Sequence, residues 1–257
     1  MHKSFSSKKL STFFLFTILF FSHRSFADGL SDLKQALNGF AQSAAFTAKI
    51  TASIKNHNEE DDEITTKTGE TEFSVEQNQT GLEIRYPMAI LDTIDKEIEA
   101  KKHNPKAHTP RTEAMNRFNY QQMVILLNPV QEMEEDLRKA KLIKEENILY
   151  QGKPARLLHL RIDLEKLSQE ERKNLKKFKT DFKIWIDEKG VPLASHSKGK
   201  GSGRFALVIG FEFHFDVEKT YSVHNNRLLV TDLKSHSGSS GAGMNRNETI
   251  EAKLLLL

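Results

Sequence analysis

The chain has no cysteine, one tryptophan and six prolines in 257 residues. Without cysteine there are no disulfides, no thiolate metal sites and no cysteine nucleophile. Lipid attachment to a cysteine behind an export leader is excluded too. Long apolar runs are also missing. The longest, LSTFFLFTILFF at residues 10–21, is too short to cross a bilayer core of about 30 Å as a helix. Phosphate-loop order is absent, since SKGKGSGR at 197–204 lacks G-x-x-x-x-G-K-[ST]. SGSSGAG at 237–243 has neither nucleophile-elbow nor dinucleotide spacing. EEDDE at 59–63 lacks EF-hand spacing, and His103, His108 and His159 fit no zinc pattern.

What is present begins with a basic start, MHKSFSSKKL, followed by the apolar run and by Ser25-Phe26-Ala27. A basic segment, a short apolar core and a small-x-small site predict a signal peptide over 1–27, cleaved near Ala27, and a periplasmic protein starting at Asp28. Residues 1–27 carry Lys3, Lys8, Lys9 and Arg24 and no acid, so the formal charge of +3 becomes −1 on their removal. The basic balance therefore belongs to the leader and gives no reason to expect nucleic-acid binding.

Period then separates the elements. Leu30, Leu33, Leu37 and Phe40 have helical spacing, with Asp28 or Ser31 as cap. Phe46, Ala48, Ile50, Ala52 and Ile54 alternate as a half-buried strand; HNEEDDE at 57–63 is an acidic tip. Further strands cover 64–77 and TGLEIRYP at 80–87. The middle is helical. Met88, Leu91, Ile94 and Ile98 form one stripe, with Asp92/Lys96 and Glu97/Lys101 pairs on the wet side. A second helix is expected from Thr109-Pro110 towards Leu127, and a third carries Val130, Met133, Leu137 and Ala140.

From Leu142 strands dominate. Hairpins are predicted at YQGK (150–153) and DEKG (187–190), around a short helix in which Ser168 and Glu171 fit a capping box. GKGSG at 199–203 reads as a loop, RFALVIGFEFHFDVEKTYSVHNNRLLVTDLKSH as a long hairpin around Asn225-Asn226, SGSSGAGMNRN as a loop and ETIEAKLLLL as a last strand. These elements give an α+β fold: one domain over 28–257, an antiparallel sheet with helices set against it and a helical insertion at about 88–141.

SDLKQALNGFAQSAAFTAKIT at 31–51, GLEIRYP ending at Pro87 and FKIWIDEKGVPL at 182–193 resemble, in that order, parts of the LolA family of outer-membrane lipoprotein carriers. The resemblance implies a half-open antiparallel β-barrel whose concave face is apolar, covered by helices and able to accept acyl chains. Relatives include periplasmic stress sensors of the RseB type and envelope-lipid binders. In the carrier an arginine directly precedes the strand-end proline; here Tyr86 stands there and Arg85 comes one residue earlier. A one-residue slip points a strand side chain to the other face, so that arginine's role is not transferred.

The alternation in GFEFHFDVE (210–218) sets Phe211, Phe213 and Phe215 on one face and Glu212, His214 and Asp216 on the other. The charged row reads either as a solvent face or as part of a metal or acid–base site. The phenyl row reads as packed core or, given the resemblance, as a cavity wall. The candidate ligand-binding residues are Phe205, Leu207, Phe211, Phe213, Phe215 and Trp185. Trp185 also reads simply as sheet packing.

No catalytic residue, cofactor or metal is expected. The favoured function is a non-catalytic periplasmic carrier or sensor holding a lipid or acylated peptide. The alternative is an envelope protein-interaction module docking through the helical block. A hydrolase or metalloenzyme using His214 is the third reading.

Overall fold

A computed structural model describes residues 28–41, 44–60, 63–205 and 209–257. The expected signal peptide, two residues of the acidic tip and Leu207 lie outside the described residues.

The chain opens with helix α1 (Gly29–Asn38), capped by Asp28, whose carboxylate accepts the Leu30 N–H. Leu33 and Leu37 are buried beneath it, as their spacing requires. Strands β1 (Phe46–Glu60), β2 (Glu63–Asn78) and β3 (Gly81–Arg85) follow as an antiparallel meander. Four helices come next: α2 (Met88–His103), α3 (Pro110–Arg117), α4 (Tyr120–Leu127) and α5 (Pro129–Lys139). The second half holds β4 (Ala140–Tyr150), β5 (Lys153–Ile162), α6 (Gln169–Arg172), β6 (Leu175–Ile186), β7 (Pro192–Phe205), β8 (Ile209–His224), β9 (Arg227–Gly241) and β10 (Met244–Leu256).

The ten strands among the described residues join one antiparallel sheet in the order β3-β2-β1-β10-β9-β8-β7-β6-β5-β4. The sheet is not closed into a barrel, because β3 and β4 stand at opposite edges. That topology places the helices. The chain must travel from one edge to the other between β3 and β4, and α2–α5 make the crossing. On the way α3 packs on β2 and β1, α4 on β9, and α5 on β9 and β4. Turn chemistry fixes the hairpins. Asn225 and Asn226 both have positive φ, as do Gln151 and Gly152, which suits two-residue turns between right-twisted strands.

Inward positions of the sheet meet inward positions of the helices in one core. Ile50, Phe73, Ile184, Leu228 and Val230 from the strands pack with Leu33, Phe118, Leu126, Met133 and Leu137. Arg227 is buried at its margin. Its guanidinium donates to the Leu127 carbonyl at the end of α4 and stands 4.8 Å from the Phe46 ring. It thereby satisfies an orphaned helix carbonyl.

Several expectations are corrected. The buried face of α2 is Ile90, Ile94 and Glu97, whereas Met88 and Ile98 are exposed. Glu97 is not on the wet side: its carboxylate accepts the Arg111 and Thr112 N–H groups at 3.0 and 2.7 Å and so caps α3 from the neighbouring helix. The helix expected over 109–127 is two helices, because the Asn119 side chain accepts the N–H groups of Gln121 and Gln122 and starts α4 afresh. GKGSG is not a loop but part of β7, and most of SGSSGAGMNRN is strand, with the turn confined to Ala242-Gly243. Arg204 and Phe205 end β7 and are not part of the hairpin around Asn225. The capping box at Ser168 and Glu171 forms as the sequence implies.

Candidate functional site

Strand β8 divides along its length. Its inward side chains run Phe211, Phe213, Phe215, Val217, Lys219, Tyr221. Tyr221 is buried in the core and Val217 packs against it, but the three phenylalanines are only half-buried. The reason lies across the strand pair. Phe211, Phe213 and Phe215 stand opposite Gly203, Gly201 and Gly199 of β7. A Cβ at any of these glycines would overlap the facing ring, so the rings lie down on bare backbone. Glycine in a strand weakens it, and a ring across the ladder restores packing there. Phe178 of β6 extends the row, 6.3 Å from Phe213, which stacks 6.4 Å from Phe211. The result is an aromatic floor.

The opposite face carries the charged row. Asp216 accepts from His196 at 2.7 Å and from Lys198 at 2.9 Å, and His214 lies 5.7 Å from His236. Burial raises the Asp216 pKa, but the hydrogen bonds from Lys198 and His196 outweigh it and leave the carboxyl below its ordinary value. His196, Asp216 and Glu218 can bring ligand atoms within 4.8 Å of one another. Lys198, however, already neutralises the second Asp216 oxygen. Glu212 and His214 are not part of that group.

A cavity of about 310 Å³ lies where the aromatic floor meets α5. Its apolar walls include Met133, Ile162, Phe178, Phe182, Phe215 and Val217. Its charged lining has three parts among the described residues. Lys219 reaches from β8 to Glu132 of α5 at 2.6 Å. Lys139 reaches Glu171 of α6, also at 2.6 Å. The Lys139 contact, with the Ser168 N–H, pulls the Glu171 carboxyl down to about 2. Between these pairs stands Asp136, to which no ion pair or hydrogen bond from a side chain falls among the described residues. Burial, with Glu132 nearby, pushes its carboxyl up to about 6 against the opposing pull of Lys219 and Lys139. Behind it the Tyr221 hydroxyl shares a 2.8 Å hydrogen bond with the Ser195 hydroxyl, and burial raises the tyrosine's pKa.

The residues singled out from sequence are thus only partly gathered. Phe215 lines the cavity, and Phe213 and Phe211 continue the floor beyond it. Phe205 is 61% exposed at the end of β7 and joins neither. Trp185 alternates with the buried Ile184 and Ile186, so it takes the other face of β6, with its ring 6.0 Å from Tyr150. That is its sheet-packing reading, away from the cavity.

Sequence reasoning missed Asp136, Glu132 and Lys219. A signal existed for two of them. Lys219 interrupts the inward apolar alternation of β8, and Asp136 directly precedes Leu137 of the α5 stripe.

No family model matches the chain, and no curated protein matches it. Among solved structures, the chain is similar at 8% identity to a crystal structure of MucB in complex with MucA(peri). It covers 88% of this chain and 94% of that chain, with a TM-score of 0.20, a likeness too weak to carry any argument.

Proposed function

We propose that the protein is a non-catalytic binding protein of the periplasm that holds an acylated ligand or lipid against the inward face of its sheet. In this reading the sheet acts as a half-open barrel of the kind the LolA-like motifs imply. The leader-like first 27 residues support export. Among the described residues no helix is long and apolar enough to cross a membrane.

The carrying observation is the continuity of the half-buried floor of Phe211, Phe213, Phe215 and Phe178 with the cavity under α5. At about 310 Å³ the cavity lies at the lower end of ligand-pocket sizes, and the floor gives a chain room to continue past it. Each methylene buried there contributes about 0.8 kcal/mol before the cost of association.

The test is native mass spectrometry of protein purified gently after export, followed by solvent extraction. A stoichiometric adduct that extracts as lipid, and is lost in Phe215→Asp, supports the reading. A clean mass, with no binding of added fatty acid or lysophospholipid, sinks it.

A protein-interaction module is the second reading. It is favoured by Met88 and Tyr120, which the helical block leaves 69% and 64% exposed. Crosslinking to an envelope protein that disappears on Met88→Asp and Tyr120→Asp supports it. Crosslinking unchanged by both removes it.

A further inference from the structure

The charge of the cavity chooses between kinds of ligand. Among the described residues three carboxyl groups line it: Glu132 and Asp136 on α5, and Glu171 on α6. Two ammonium groups line it as well, Lys139 on α5 and Lys219 on β8. Each lysine is committed, Lys219 to Glu132 and Lys139 to Glu171, both at 2.6 Å. Asp136 is left over. An anionic headgroup entering here would have to pull a lysine from its partner and meet Asp136 at close range. A cationic one would break no contact and would supply the charge that Asp136 lacks.

The walls point the same way. Phe178, Phe182, Phe215 and Tyr221 line the same space, and ring faces attract cations, quaternary ammonium above all. A carboxylate set among aromatic rings therefore suits an alkylated ammonium better than a hydrated metal ion, which demands several oxygen ligands. Burial of Asp136 is consistent with this, because desolvation penalises its charged form and an incoming cation would stabilise that form.

We propose that the cavity under α5 binds the ammonium group of a cationic ligand, with Asp136 as its counter-ion and Phe178, Phe182, Phe215 and Tyr221 as its walls. This deepens the acyl-binding reading by assigning the headgroup, but it can stand or fall separately. The ammonium belongs to an amphiphile whose chain follows the phenylalanine floor, or to a free amine that uses the cavity alone.

Three probes separate these cases by isothermal titration of the purified protein at pH 7.5, below micelle-forming concentrations. They are dodecyltrimethylammonium, dodecanoate and tetramethylammonium. Dodecyltrimethylammonium is expected to bind about tenfold tighter than dodecanoate. Asp136→Asn is expected to erase that preference, and Asp136→Glu to keep most of it. The probe's charge is permanent, so weakening of its binding between pH 7.5 and pH 5 reports protonation on the protein. That weakening should vanish in Asp136→Asn.

Dodecanoate binding as tightly as the ammonium probe, or a preference unchanged in Asp136→Asn, overturns the proposal and leaves the acyl reading standing. Binding of tetramethylammonium that depends on Asp136, with neither chain-bearing probe bound more tightly, keeps the proposal for a free amine and removes the lipid reading. Failure of all three probes to bind overturns both.

Discussion

The two ends of the inward sheet face are built on opposite plans. At one end, large apolar residues from the strands meet large apolar residues from the helices: Phe73 against Phe118 and Tyr86, Leu228 and Val230 near Leu126. At the other end the strands supply glycine and serine, Gly199, Gly201 and Gly203 on β7 with Ser235, Ser237 and Ser239 on β9, and the phenylalanines of β8 lie between. The first end is a core in which each ring is held by a second layer. The second is a floor whose rings are held by the sheet itself and keep part of their surface towards solvent. The cavity sits at the boundary, where β8 changes from one plan to the other at Val217, Lys219 and Tyr221.

Substitution should expose this difference. Phe73→Ala, at a ring 1% exposed, is expected to lower the unfolding free energy by about 3–5 kcal/mol. Phe213→Ala, which removes a half-exposed ring, should lower it by about 1 kcal/mol. Urea unfolding of the two variants side by side tests the comparison, and equal losses would break it.

Next in size is Gly201→Val, whose new side chain meets the Phe213 ring and the Lys177 carbonyl. A loss of about 1–3 kcal/mol is expected, part of it recovered in the double variant with Phe213→Ala. Additive losses would show that the ring does not depend on the glycine.

At the boundary the expected change is in the stabilising direction. The Asp136 carboxyl is raised from 3.8 to about 6, so the folded state holds a proton there that the unfolded chain has lost. Its contribution to stability therefore falls as pH rises through that window and is fully lost above it. Asp136→Asn should remove the fall and unfold about 1–2 kcal/mol later than the parent at pH 7.5, with no advantage at pH 3.5. Urea midpoints at the two pH values check both the sign and the window. An advantage at pH 3.5 as large as at pH 7.5 would refute the linkage.

The smallest effect belongs to the outward face of the floor. Lys198→Ala breaks an exposed ion pair with Asp216 and should leave the urea midpoint at neutral pH unchanged within error. A clear shift would mean that the charged row supports the floor above it.

Much of the frame was legible in the chain. The α1 stripe, the alternation of β1, the Gln151-Gly152 and Asn225-Asn226 turns and the capping box at Ser168 each depend on neighbours a few residues away. So does the division of β8 into a phenyl face and a charged face. The misreadings share a cause. GKGSG carries loop residues, yet it is strand because Phe211, Phe213 and Phe215 lie opposite it in the ladder. Glu97 carries a surface residue's charge, yet it is buried because α3 offers it two unsatisfied N–H groups.

The candidate site was less legible still. Of the three phenylalanines of β8, Phe215 alone reaches the cavity; Trp185 faces away and Phe205 stands apart. Asp136 acquires its setting from Glu132, Glu135 and Lys139 of its own helix and from Lys219 of β8.

By itself, then, the sequence determined period, turns and caps, and through them which face of β8 would be aromatic. The tertiary structure alone decided what those rings meet and which carboxylate of the cavity has no ion pair among the described residues. The physical reason is range. Backbone propensity and side-chain alternation act within one element, whereas packing, desolvation and ion pairing depend on which distant elements the fold brings together.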